Sequence, residues 1–389
     1  MRELARRVTG TSKKDYGMFA KAAGISDPAR DLIHLELGRP YQTTPGHIVE
    51  ATVAALRAGE VHYSDLPGLP VFRAAIAHKL NSYNGMNVGP QDVIVTNGLT
   101  QASYAAFMAL IDEGDEVILL EPFYPQHLGK IEMAGARPVT VKLDASNGYS
   151  IDAESIEAKI TSRTKAIVIV NPANPTGRVY SREELQALAD LAIKHDLFVI
   201  ADEVYDHIVF DDARHVSIGS LPGMAERTVS MYAFTKAYAM DGWRLGYLTA
   251  APALLAAIAK IVATEVTHVN TFIQHGGTAA LQGPGHVLEE LVLEDRHKRN
   301  LVVERLNQMP GVTCALPQGT IYAFPDISAT GLTSQVAAER LLDEADVVVE
   351  SGAFYGSAGE GRLRVCFGSE SNERLTLAMD RMQTFFNSI

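Results

Sequence analysis

The segment YAFTKAYAMDGWRLGY (residues 232–247) is mostly apolar or aromatic, yet one lysine, Lys236, and one arginine, Arg244, stand inside it. A charge withdrawn from water is costly unless a partner meets it, so each of the two calls for a function. Three other stretches carry groups suited to chemistry. In FVIADEVYDHIV, Asp202 ends a run that reads as a buried strand, the place where open α/β sheets bind ligands. In VNPANPTGRVYS (170–181), two asparagines, a glycine and two prolines close another such run as a rigid loop. In TNGLTQA (96–102), Gly98 joins a strand to a helix, and the free backbone N–H groups of a helix start suit a phosphate. Taken singly, each admits a plain structural reading: a capping or paired aspartate, an ordinary turn, a common strand-to-helix junction.

These pieces need a frame that brings them together. The runs DVIVTNG (92–98), EVILLE (116–121), AIVIV (166–170), LFVIADE (197–203), TVSMYAF (228–234) and RLGYLTA (244–250) are rich in Val and Ile and barely alternate, as strands buried on both faces do. Helical patterns lie between several of them, such as Gln101–Ile111 and Arg182–His195; Ser181 and Glu184 form a capping signal for the latter. Strands alternating with helices predict an α/β fold with a mostly parallel central sheet and helices on both faces. Residues 285–308 read as one long charged amphipathic helix, followed by the strand-like GVTCALPQGTIYAFPDI and a helix over 334–345. This part is expected to be a smaller α+β domain, with the first 45 residues packing on it or reaching to a neighbouring chain. The expected division is 46–284 for the large domain, and 1–45 with 285–389 for the N-terminal arm and small domain.

Bulk properties narrow the function. With 389 residues the chain exceeds what one compact core normally holds. A formal net charge of −12 argues against nucleic acid or an anionic membrane surface as the main partner. The two cysteines, Cys314 and Cys366, are too few for a disulfide framework and suit a reducing cytoplasm. No apolar run is long enough to span a membrane, and the basic N-terminus is not followed by the apolar region of a secretory signal. The twelve histidines show no metal-ligand spacing, so no metal is expected.

In combination, NPANPTG, DEVY and K…GWRLG, in this order, resemble the class I/II aminotransferases among the fold-type I enzymes dependent on pyridoxal 5′-phosphate. The resemblance runs from LELGRPYQTTP (35–45) to GRLRVCFG (361–368). It implies that Lys236 bonds covalently to the cofactor aldehyde, for which a primary amine is required, and that the freed amine then carries the substrate Cα proton. Asp202 would keep the pyridine nitrogen protonated. Asn174 and Tyr205 would hydrogen-bond the ring's phenolate oxygen, and Tyr124 would stack on the ring face. Arg244, the backbone of Gly98, Leu99 and Thr100, and a hydroxyl such as Thr235 would hold the phosphate. Tyr63 would reach that phosphate from a partner subunit, which makes the expected assembly a homodimer with shared active sites. Arg364, rather than the nearby Arg362, would clamp the substrate α-carboxylate, with Gly38 and Asn174 beside it.

The chain departs from the family pattern in places. Ala233 stands where a phosphate-binding serine is usual, leaving Thr235 or Ser230 as replacements. Ser351 stands where a proline is usual, and Arg39 where an acidic or neutral residue is more common. Thr100 replaces a lysine that reads a distal carboxylate in one aspartate-specific subgroup. The N-terminal Tyr16, Met18 and Phe19 are either packing or a lid over the substrate. The expected activity is therefore a ping-pong aminotransferase acting on an L-amino acid and a 2-oxo acid. The rivals are a C–S β-lyase on the same fold and a regulatory protein that binds the cofactor without turnover; no helix-turn-helix segment supports the latter.

Overall fold

The computed structural model describes residues 2–11, 17–25, 27 and 29–389. The strands are β1 (Ile33–His34), β2 (Val93–Thr96), β3 (Glu116–Glu121), β4 (Arg137–Lys142), β5 (Thr164–Val170), β6 (Phe198–Asp202), β7 (Thr228–Ala233), β8 (Gly246–Thr249), β9 (Tyr322–Ala323), β10 (Val347–Val348), β11 (Glu350–Ser351) and β12 (Leu363–Cys366). Seven of them form one sheet in the order β2-β8-β7-β6-β5-β3-β4. Its pairings are parallel except where β8 meets β2 and β7. Because β8 alone is reversed, the C-terminal ends of the other six strands and the start of β8 lie along one edge.

The strands are apolar because both sheet faces are covered. Every residue of β2, β3 and β8 is buried, and each buried Val, Ile or Leu contributes about 1.5–3 kcal/mol. The acidic ends of β3 are buried too but satisfied: Glu116 bonds Arg137, Arg163 and Thr161, and Glu121 accepts from the Ala358 N–H. The helix Arg182–Lys194 starts as the sequence predicts: Ser181 Oγ accepts from the Glu184 N–H at 3.2 Å and Glu184 Oε2 from the Ser181 N–H at 2.8 Å. The sequence reading missed β4, an edge strand whose burial is mixed and which contains Pro138; an edge position tolerates proline and needs no apolar run.

Past residue 284, helix Gly285–Leu306 packs on the C-terminal helix Asn372–Asn387 and on β9. β11-β12-β9 form a small antiparallel sheet, and β1 pairs in parallel with β10. The segment after residue 29 thus joins the C-terminal part, while the short helix Arg6–Thr9 touches helix Pro125–Met133.

Candidate active site

One edge of the large sheet collects most of the residues singled out by the sequence. Gly98 follows β2, Tyr124 follows β3, Asn174 follows β5, Asp202 ends β6, Lys236 follows β7, and Arg244 precedes the reversed β8. The small sheets supply the opposite wall: Gly38 after β1, Arg364 in β12 and Tyr322 in β9. Between them lies a cavity of about 1190 Å³ lined by Gly38, Leu99, Thr100, Tyr124, Asn174, Asp202, Tyr205, Thr235, Lys236, Arg244 and Arg364, among others. Gly98 sits just behind this lining. Tyr63 does not line it: its side chain is 88% exposed and meets the His268 ring edge-on at 5.0 Å.

Lys236 and Arg244 differ from the expectation of buried charges. Lys236 is half-buried and Arg244 exposed, and both face the cavity. Lys236 Nζ donates to the Gly38 carbonyl and lies 5.9 Å from the Tyr205 ring centroid. Asp202 is buried and doubly held: His127 Nε2 stands 3.0 Å from Oδ2, and the Val204 N–H donates to Oδ1 at 3.2 Å. Burial pushes the His127 pKa below its ordinary value, which leaves the neutral ring to donate from Nε2. Behind it, Lys130 Nζ is buried without a hydrogen-bond partner, and burial lowers its pKa to about 8.

The residues expected to hold the phosphate lie together around the start of one helix. Gly98 begins helix Gly98–Leu110 at φ +75°, and the Asn97 side chain does not cap it, so the first-turn N–H groups stay available to an anion. A Cβ on Gly98 would lie 2.6 Å from Arg244 Nη2, so the guanidinium occupies the space that the glycine opens. Thr235 lines the cavity, whereas Ser230 is buried against Gly219 and does not; of the two replacements for Ala233, Thr235 is the one in place. This cradle, the anchored Asp202 carboxylate and the Lys236 amine together fit pyridoxal phosphate.

On the opposite wall, Arg364 is buried. Its Nη2 donates to the Glu36 carbonyl and its Nη1 to Asn174 Oδ1 at 3.3 Å, while Nε has no partner. Arg362 is engaged elsewhere, by Asp326 at 2.8 Å. The exposed Arg39 is not part of the cavity lining. Met18 is buried, Phe19 reaches the cavity, and Tyr16 lies outside the described residues.

Sequence reasoning missed His127, Lys130, Tyr322 and Tyr355, all in the lining or against its residues. A signal existed for His127, three residues after Tyr124 at the start of a helix, so that both share a face. Tyr322 reaches the site from β9 and Tyr355 from the short helical turn Gly352–Tyr355 after β11, and the Arg364 guanidinium lies 4.4 and 5.0 Å from their ring centroids.

A lysine amine, a buried carboxylate and a buried arginine thus stand around one cleft at the edge of a largely parallel α/β sheet. The chain belongs to the aminotransferase class I and II family, whose model matches residues 30–382. It is 38% identical to an aspartate aminotransferase of Pyrococcus abyssi, over 94% of this chain and 93% of that one. It is 36% identical to aromatic-amino-acid aminotransferase 2 of Thermococcus litoralis, over 94% and 92%. An alanine aminotransferase structure from Pyrococcus furiosus superposes with a TM-score of 0.93 at 31% identity, covering 100% of both chains. The chain is thus an enzyme that moves an amino group between an amino acid and a 2-oxo acid; neither the lyase nor the regulatory reading gains support from these relatives. Among the described residues, no helix is long and apolar enough to cross a membrane.

Proposed function

We propose that the cleft holds pyridoxal 5′-phosphate and works by a ping-pong exchange, in which an L-amino acid leaves as its 2-oxo acid before a second oxo acid enters. The observation that carries this is the convergence of Lys236, Asp202 and Arg364 on one cavity. When bound, the cofactor supplies an aldehyde that an amine can engage and a ring that accepts the electron pair released at the substrate Cα. Lys236 would be the amine that holds the cofactor, and its freed Nζ would serve as the base for the substrate Cα proton. Asp202, fixed by His127, keeps a proton on the ring nitrogen. Tyr205 and Asn174 would donate to the ring oxygen, and Tyr124 would cover the ring face. Arg244, Thr235 and the backbone of Gly98, Leu99 and Thr100 bind the phosphate. Arg364 takes the substrate α-carboxylate, with Gly38 and Asn174 closing that end.

The assembly proposed is a cytoplasmic homodimer in which Tyr63 enters the partner subunit's site. Its exposure, and that of Val61 and Val71 nearby, suits a surface that a second copy covers. Residues 46–284 form the large domain of this reading, with 1–45 and 285–389 as arm and small domain. Because Arg39 is exposed and outside the cavity lining and residue 100 is threonine, neutral or aromatic donors are favoured over aspartate.

Borohydride reduction of the loaded enzyme should fix the cofactor on the peptide carrying Lys236, and Lys236→Ala should lose turnover; labelling of another lysine refutes the assignment. A good donor added without an oxo acid should convert one equivalent of cofactor and stop. Continuous release of ammonia and pyruvate from a cysteine conjugate would instead identify a lyase.

A further inference from the structure

We propose that Tyr322 is a positioning residue that links the carboxylate clamp, Arg364, to the Tyr205 hydroxyl that serves the cofactor ring. This rests on the reading of the cleft given above. Tyr322 is buried in β9, and its hydroxyl lies 2.9 Å from that of Tyr205, with the two rings edge to face. The Arg364 guanidinium stands 4.4 Å from the Tyr322 ring centroid. A Cβ on Gly38 would fall 2.0 Å from the Tyr322 hydroxyl, and the carbonyl of the same glycine takes the Lys236 ammonium. One side chain therefore touches the clamp, the ring-oxygen donor and the residue that holds the reactive amine.

The direction of the tyrosine–tyrosine bond follows from counting protons. Each phenol has one to give. If Tyr205 donates to the ring oxygen, its own oxygen must accept from Tyr322, so Tyr322 sets which way the pair points. Donors in series polarise one another, so the second strengthens the first. Burial raises the Tyr205 pKa well above its ordinary value, which keeps the proton available for donation. The positive guanidinium over Tyr322 makes that phenol a better donor, and a carboxylate arriving on Arg364 offsets the charge. Occupation of the clamp is thereby felt at the ring oxygen, two hydrogen bonds away.

Tyr322→Phe keeps the ring under Arg364 and removes only the hydroxyl. The visible absorbance of the loaded enzyme reports the proton shared between the Lys236 nitrogen and the ring oxygen, and a donor to that oxygen weakens its hold on the proton. The absorbance midpoint of Tyr322→Phe should therefore rise, by a fraction of the roughly 0.7 pH unit equivalent to a whole neutral hydrogen bond of ~1 kcal/mol, because Tyr322 acts on the ring oxygen only through Tyr205. Saturation with 3-phenylpropionate, a carboxylate without an amine, should raise the wild-type midpoint and move the variant's less. Tyr205→Phe alone should raise the midpoint and shrink the ligand-induced shift to the part that Asn174, bonded to Arg364, carries by itself, and adding Tyr322→Phe to it should change nothing. The comparison of Tyr205→Phe with wild type stands even if Tyr322→Phe folds poorly, which circular dichroism of the cofactor-free protein would reveal. An intact visible band with an unmoved midpoint in Tyr322→Phe, or a ligand-induced shift as large in Tyr205→Phe as in wild type, overturns the link. A protein showing no such band overturns the cofactor reading itself.

Discussion

Replacing Gly98 with alanine separates the cofactor cradle from the stability of the chain. Gly98 has φ +75°, a conformation that costs an L-residue roughly 1–2 kcal/mol. The new Cβ would also lie 2.6 Å from Arg244 Nη2 and 3.1 Å from Cζ, so the guanidinium has to move. A hydrogen bond to a charged group is worth about 1.5–3 kcal/mol, so displacing it from a phosphate should weaken cofactor binding roughly 10- to 150-fold. Gly331 supplies the control: its φ is +76°, yet a Cβ there meets nothing within 4 Å. Gly331→Ala carries the backbone strain without the obstruction. Both variants of the cofactor-free protein should melt a few degrees lower, while only Gly98→Ala should lose affinity in a fluorescence titration with pyridoxal phosphate. If Gly98→Ala binds the cofactor as tightly as wild type, the placement of the phosphate between Gly98 and Arg244 is wrong.

Lys79 is buried against Asp206; burial alone would raise the Asp206 carboxyl, but the ammonium beside it holds it well below the usual carboxylate range. Lys79→Met should cost about 3–5 kcal/mol in urea unfolding by leaving that carboxylate unpaired, with Asp206→Asn recovering much of the loss; a cost below ~1 kcal/mol would contradict it. Burial raises the Glu203 carboxyl to about 8, so between the unfolded carboxylate range and pH 8 the native chain keeps a proton that the unfolded chain has released. Stability should fall as pH rises through that window, and Glu203→Gln, which retains an acceptor for Ser217 and Tyr232, should flatten the decline in denaturation curves at pH 5 and 8. Arg39→Ala should leave kcat/KM unchanged for both phenylalanine and aspartate, since Arg39 lies outside the cavity lining; loss of a strong aspartate preference would show that Arg39 reads a distal carboxylate.

The central sheet was legible because its signal is local. A strand covered on both faces must be apolar throughout, and β3, β5 and β6 announce this in EVILLE, AIVIV and LFVIADE. The Ser181–Glu184 cap was legible for a similar reason, since both partners sit within one helical turn. β4 escaped notice because an edge strand is only partly covered, so its burial is mixed, and it carries Pro138. The direction of β8 was hidden too, since an apolar run does not reveal which way it runs beside its neighbours, and that reversal is what brings Arg244 to the same edge as Lys236.

By itself the sequence determined the fold class, the family and the residue types available for chemistry, because these rest on short ordered segments such as NPANPTG and GWRLG. Tertiary structure decided which of those groups face one another. It buries Arg364 at the cavity and pairs Arg362 with Asp326. It brings Thr235, and not Ser230, into the cavity lining. It placed His127 on Asp202 and Tyr322 between Arg364 and Tyr205, joining residues 75 and 117 positions apart. Contacts across such separations depend on sheet order and on the docking of the small sheets over the large one, and no local pattern in the chain encodes that geometry.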